Sequence, residues 1–377
     1  MTRSKRKRKS PAYSISFVII VILLAIYGSI MVFSASYSYA EARFEDPFYF
    51  TKRHAIWLSF GMAVMMLSSK INVCKIRKIT PVLYAVTLLL LILVLATGLV
   101  GNGAKRWISI GPLTIQPSEI SKLTIILMLS YYQDRFYALS LSNDKRKSFT
   151  FGTLLPITIC LIPIVLIMLQ KHLSCIIIVS LISISLIICF GANLRYMLGF
   201  IGCGAVGILS LAFFTDYTKE RIMVWLNPEA YKLTGGWQTL QGLMAIGSGG
   251  VFGVGLGKSL MKCSYVSEPA NDMIFAILCE ELGIAGAIVA MVLFALLVIK
   301  GIKIALNAND TYSRLTAIGI SIKMAIQALL NIAVVTNSIP NTGISLPFFS
   351  YGGSSLVMVF FEMGLLLAIS RNSKVIK

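Results

Sequence analysis

Charge is what this chain has least of. Only 13% of its 377 residues are Asp, Glu, Lys or Arg, 15 of them acids, and there are two histidines. So thin a polar supply cannot coat a soluble fold of this size. The 57% hydrophobic content and a mean hydropathy of +0.83 exclude one from the other side. Cysteines are few and badly placed for cross-linking. Cys160, Cys175, Cys189, Cys203 and Cys279 fall in or at long apolar runs, Cys74 lies among basic residues, and only Cys263 lies in a long polar loop. That argues against a disulfide framework, and no Cys/His spacing matches a zinc site.

Long apolar runs are what the sequence does have. About 20 apolar residues cross the hydrocarbon core as a helix. Ten runs qualify, near 15–35, 54–70, 81–99, 117–132, 151–169, 173–190, 197–215, 273–299, 315–338 and 352–370. The expected fold class is an all-α polytopic integral membrane protein of about ten transmembrane helices, with a large extracytoplasmic loop between the seventh and eighth. In domain terms this means a basic cytoplasmic tail at 1–13, one membrane domain at 14–371 and a short C-terminal tail at 372–377. The basic start MTRSKRKRKS before the first run has the look of a signal peptide. The run is a full span without a small-residue cleavage site, so it reads as a retained helix.

Basic residues orient the spans, because their excess marks the cytoplasmic side. With both termini inside, the cytoplasmic segments hold 21 of the 34 Lys and Arg, the outer segments 11, and Lys122 and Lys323 lie within spans. The formal charge of +19 then reflects topology and attraction to anionic membrane lipid, and no nucleic-acid-binding motif competes with that reading. The acids distribute the other way. Glu41, Glu45, Asp46, Glu119, Asp216, Glu220, Glu229, Glu268 and Asp272 all fall outside or at outer span ends, so the active face is expected to be extracytoplasmic.

Four outer segments carry the polar chemistry. After the third span comes Lys105-Arg106-Trp107, then Pro117-Ser118-Glu119 and Lys122. Glu119 suits the first turn of a helix, but it also stands three residues from Lys122 on the same face. The long loop 216–272 carries Lys219, Arg221, Lys232, Lys258 and Lys262, and a glycine-rich run from Gly247 to Ser259. A P-loop would need glycine at position 252, which is Phe252, so nucleotide binding is excluded. A re-entrant turn and a cradle for a phosphate head group both remain open. At the loop's end stand Glu268, Asn271 and Asp272, directly before an apolar run. Asp272 suits either chemistry or, with Asn271, a helix cap. In the ninth span Lys323, Gln327 and Asn331 form a polar stripe, fit for interhelical bonds or for lining a substrate cavity.

In combination, GAKRWISIGPLTIQPSEISKL at 103–123, AIGSGGVFGVGLGKS at 245–259, EPANDMIFAILCEELG at 268–283 and PNTGISLPFFSYGGSS at 340–355 resemble the SEDS family of FtsW, RodA and SpoVE type, with GSIMVFSAS at 28–36 matching its first span. The resemblance covers the chain beyond residue 14. It implies a ten-helix peptidoglycan glycosyltransferase of the cytoplasmic membrane that polymerises lipid II. Asp272 matches the family's catalytic aspartate, the general base. Arg106, Glu119, Lys122 and Arg221 match positions near the cavity, and Glu268, Lys323, Asn331 and Ser350 join them as expected substrate contacts. The implied partners are lipid II, a class B penicillin-binding protein and the divisome or elongasome. The basic tail and Pro340-Asn341-Thr342-Gly343 lean towards cell division, with elongation and sporulation open.

The chain also departs from the pattern. Ser267-Glu268-Pro269-Ala270 replaces the Pro-Glu-Ala-His or Pro-Glu-Ala-Gln of many members, so no His or Gln is expected to orient the base. His172 stands where Asp is common, and reads as a surface residue. Glu268 and Asp272 could hold a divalent cation, but without diagnostic spacing. A transporter of lipid-linked oligosaccharide is the rival function, since intramembrane Lys122, Lys323 and Glu362 suit either.

Overall fold

The computed structural model describes residues 12–101, 104–110, 113–189, 191–192, 195–200, 202, 216–262 and 269–373. The chain is mostly helical. Its helices are α1 (Ala12–Phe44), α2 (Tyr49–Ser68), α3 (Val73–Thr97), α4 (Pro117–Ser140), α5 (Lys145–Leu169), α6 (Leu173–Cys189), α7 (Asp216–Leu226), α8 (Trp237–Gly249), α9 (Ile274–Leu306), α10 (Thr311–Val335) and α11 (Gly353–Asn372). Six of these, α1, α3, α5, α9, α10 and α11, are long and apolar enough to cross a membrane. Together they make the chain a polytopic membrane protein. Most of the expected span 197–215 lies outside the described residues. Cys74, Cys160, Cys175, Cys189 and Cys279 are free thiols.

Helix α4 shows why composition alone undercounts the bundle. Ser118, Glu119, Ser121, Lys122, Thr124, Ser130 and Gln133 are all buried along it, and it packs against α3, α5, α6, α10 and α11. Covered by protein on most sides, it has no need of an apolar surface towards lipid, and its polar groups can bond to neighbours instead. Around it α2 packs on α11, α9 on α10, α1 on α9, and α8 on α9.

The segment after α3, expected as loop, forms a small antiparallel sheet, so the all-α expectation needs correcting there. Strands β1 (Leu99–Gly101), β2 (Ala104–Ile110) and β3 (Leu113–Ile115) run in order β1-β2-β3. Ile108 faces Ile115 and Ser109 faces Thr114, and the β-branched Ile, Ile and Thr favour a pleated ladder. The long loop 216–262 is not irregular either. It holds α7, a 3-10 turn at Pro228–Tyr231 and α8.

Candidate active site

Asp272 lies in the turn that leads into α9, half-buried. Met273 is the residue at the helix cap, and no side chain bonds there, so the capping role open to Asp272 is not the one it takes. Its main chain is fastened to the segment between α10 and α11. The Asn331 amide donates to the Asp272 carbonyl at 2.9 Å and to the Ile344 carbonyl at 2.7 Å. The Ser350 hydroxyl donates to the Asn271 carbonyl at 2.6 Å while accepting from Leu346 N–H at 2.7 Å. Tyr351 N–H donates to the Ala270 carbonyl at 2.8 Å. Asn331 and Ser350, expected as substrate contacts, are therefore committed to holding the backbone beneath Asp272.

The carboxylate itself meets Gln238 of α8. Its Nε2 donates to Asp272 Oδ1 at 3.4 Å, and its Oε1 accepts from Asn341 Nδ2 at 3.2 Å. The expectation that no Gln orients this acid is thus corrected: the amide arrives from another element, 34 residues upstream. Arg221 of α7 donates to the Asn341 carbonyl, and Trp225 Nε1 to the Asn337 carbonyl at 3.0 Å. Glu268 lies outside the described residues.

Arg106, Glu119 and Lys122 gather at a neighbouring station. Lys122 pairs with Glu119 at 2.7 Å, both buried, so Glu119 forms an ion pair and not a helix cap. Arg106 Nη2 donates to the Lys171 carbonyl at 2.6 Å. His172 is buried, against the expectation of a surface residue, and its Nδ1 shares a hydrogen bond of 3.1 Å with Ser118. Burial, and then the Arg106 charge, push the imidazole down to about 3, so it is neutral at physiological pH. Ser174 donates to the Thr342 carbonyl, which joins this station to the segment around Asp272. Deeper in, Lys323 pairs with Glu362 at 2.5 Å, both fully buried. Gln327 donates to the Ser345 carbonyl at 3.2 Å. The α10 stripe therefore serves bonds within the protein. Among the described residues no three His, Cys, Asp or Glu side chains come together to hold a metal ion.

The sequence pattern of the cell cycle protein family FtsW/RodA/SpoVE matches residues 14–375. The chain belongs to this family. It is 39% identical over 372 residues to stage V sporulation protein E of Bacillus subtilis, covering 98% of this chain and 99% of that one. It is 36% identical over 366 residues to the probable peptidoglycan glycosyltransferase FtsW of Geobacter sulfurreducens, covering 96% of each. Rod shape determining protein RodA of Thermus thermophilus shares the fold with TM-score 0.69 at 25% identity, over 95% of this chain and 96% of that one. A chain of a peptidoglycan synthase complex does so with TM-score 0.77 at 24% identity, over 94% and 97%.

The glycine-rich block that resembles the FtsW/RodA/SpoVE pattern has a structural task. Helix α9 breaks at Gly283, whose φ of 66° and ψ of −168° no ordinary helix contains. The break frees backbone groups that the glycine run takes up. Val254 and Gly255 N–H donate to the Glu280 and Glu281 carbonyls at 2.9 and 3.0 Å, and Ile284 and Ala285 N–H donate to Gly250 and Val251 at 3.0 Å each. Gly253, at φ 78°, lies so close that a Cβ would sit 2.2 Å from the Glu281 carbonyl oxygen. In the described contacts the run acts as a clasp on α9, with Val254 and Gly255 N–H spent on its carbonyls.

That clasp encloses acids that were not singled out from the sequence. Glu281 pairs with Lys262 at 2.7 Å and accepts from Ser34 at 2.5 Å. Glu280 accepts from Ser259 and from Leu260 N–H, the latter at 2.9 Å. The available signal was two adjacent acids, Glu280-Glu281, inside an apolar run.

Proposed function

We propose that this chain is a peptidoglycan glycosyltransferase that polymerises lipid II into β-1,4 glycan strands, with Asp272 as general base. The observation that carries the reading is the contrast between Asp272 and the other acids. Glu119, Glu281 and Glu362 are buried in ion pairs with lysines, whereas Asp272 is half-buried at the start of α9, its backbone stapled from two elements and its Oδ1 accepting from the neutral Gln238 amide. The FtsW names of relatives matched over almost their whole length support the same activity.

In this reading Asp272 takes the proton from the 4-hydroxyl of the acceptor GlcNAc. The freed oxygen pair attacks the anomeric carbon of the lipid-linked donor, the bond from that carbon to the pyrophosphate oxygen breaks, and undecaprenyl pyrophosphate leaves with inversion. General-base assistance contributes about 10²–10⁴-fold. Arg221 and Arg106, with Lys122 deeper, supply positive charge as the pyrophosphate gathers its own. Glu268 completes the substrate contacts, and Lys323 acts through Glu362 to fix α10.

The same reading gives the chain ten spans in the cytoplasmic membrane, with both termini inside and the 216–272 loop outside. Support comes from α9, whose part beyond the Gly283 break, Ile284 to Leu306, extends about 35 Å, enough to cross a hydrocarbon core of about 30 Å. Its first turns are buried in protein, and outward-facing apolar side chains begin at Ile284, Ile288 and Val289. With the membrane edge near Ile284, the turn that carries Asp272 lies on the loop side of it, where a lipid-linked sugar would stand. A class B penicillin-binding protein would cross-link the strands, within the divisome or the elongasome.

The test is to supply labelled lipid II to the purified protein with its transpeptidase partner. Glycan strands from wild type and none from Asp272→Ala are expected. Equal polymer from both would remove Asp272 from the mechanism, and lipid II crossing the bilayer without polymer would favour transport.

A further inference from the structure

Three hydrogen bonds leading to Asp272 have a direction that a single backbone group sets. Gly343 N–H donates to Asn341 Oδ1 at 3.1 Å, and a backbone N–H cannot reverse. Asn341 must therefore turn its NH2 outward, and Nδ2 donates to Gln238 Oε1 at 3.2 Å. With its carbonyl end taken, Gln238 presents Nε2 to Asp272 Oδ1 at 3.4 Å. Arg221 fixes the same asparagine from behind through its main-chain carbonyl. Side-chain amides are nearly symmetric in shape and opposite in polarity at their two ends, so without such an anchor either end of Gln238 could face the acid.

We propose that Gln238 is the positioning residue of the base and that Asn341 sets which end of its amide faces the carboxylate. This rests on Asp272 being the general base. A donor at Oδ1 favours the ionised carboxylate, the form a general base needs. The contact is long, as catalytic hydrogen bonds often are before substrate binds. Gly343 belongs to the same arrangement. Its φ is 68°, and a Cβ there would stand 3.5 Å from Asp272 Oδ2. The charged group in this chain of contacts is Arg221 on α7, and Glu268, close in sequence, lies outside the described residues.

Three variants separate positioning from packing: Gln238→Ala, Gln238→Glu and Asn341→Asp. Each is measured as lipid II polymerisation rate from about pH 5 to 9, with the partner transpeptidase present. Loss of the donor in Gln238→Ala lowers the rate about tenfold and moves the acidic limb of the pH profile upward. Gln238→Glu keeps the shape but sets a like charge at the base, so its limb moves further, by roughly one unit or more, and its rate recovers at high pH. Asn341→Asp offers an acceptor to Gln238, reverses its amide and shifts the limb in the same direction. Combining Asn341→Asp with Gln238→Ala adds little to Gln238→Ala alone. A Gln238→Glu protein with the wild-type rate and profile would overturn the proposal, since only packing would then matter. If Asp272→Ala polymerises as wild type does, the base assignment itself fails, a result distinguishable from any behaviour of Gln238.

Discussion

Two acids of this protein, Asp272 and Glu281, stand nine residues apart in one stretch and have opposite surroundings. Glu281 is fully buried, paired with Lys262 and bonded by Ser34. Asp272 is half-buried, and its Oδ1 accepts from the neutral Gln238 amide. The first arrangement spends a carboxylate on holding the broken helix α9 to the glycine clasp. The second holds a half-buried carboxylate against a neutral amide, the arrangement proposed for the base. A charged group is thus read as structural or chemical by what its oxygens are already committed to, more than by its presence in an apolar run.

The comparison breaks most sharply by removing each acid. Asp272→Ala should lower polymerisation by at least about 100-fold with the thermal midpoint unchanged, checked by glycan gel and by scanning fluorimetry on the same sample. Lys262→Met should do the reverse. Stranding Glu281 without its cation costs about 3–5 kcal/mol, seen as a lowered midpoint with activity per folded molecule retained. Adding Glu281→Leu to it should restore part of the loss, because the uncompensated charge is gone.

A smaller effect is expected at the clasp. Gly253→Ala places a Cβ against the Glu281 carbonyl at a φ that favours glycine, costing about 1–3 kcal/mol, measurable by thermal unfolding. The smallest concerns His172, whose imidazole is held down to about 3 against about 6.5 in the unfolded chain. The unfolded state binds the extra proton between those values, so stability is full above about pH 6.5 and falls towards pH 3. His172→Asn should flatten the dependence of the thermal midpoint on pH across that window.

Much of this was legible in the sequence and some of it was not, for physical reasons. Apolar runs announce spans because lipid demands them, and α1, α3 and α9 appear where the runs are. Helix α4 appears at the run 117–132 too, but the burial of its polar residues by neighbouring helices is a matter of packing that no window of hydropathy registers. Asp272 was legible through a family resemblance at 268–283. Gln238 was not, since its role depends on α8 folding back over α9, a contact between elements that leaves no local pattern. Asn331 and Ser350 were legible as polar residues near the site, but their bonds to the Asp272 and Asn271 carbonyls depend on a fold geometry that no local pattern carries. The sheet at 99–115 was hidden by its brevity, and the Glu280-Glu281 pair by the family block around it.

The central claim is that Asp272 supplies chemistry and Glu281 supplies architecture. The most direct measurement is the initial rate of lipid II polymerisation per folded molecule for two isosteric variants, Asp272→Asn and Glu281→Gln, with the partner transpeptidase present. The account predicts a rate near background for Asp272→Asn and near wild type for Glu281→Gln. A folded Asp272→Asn protein that polymerises at the wild-type rate would contradict it.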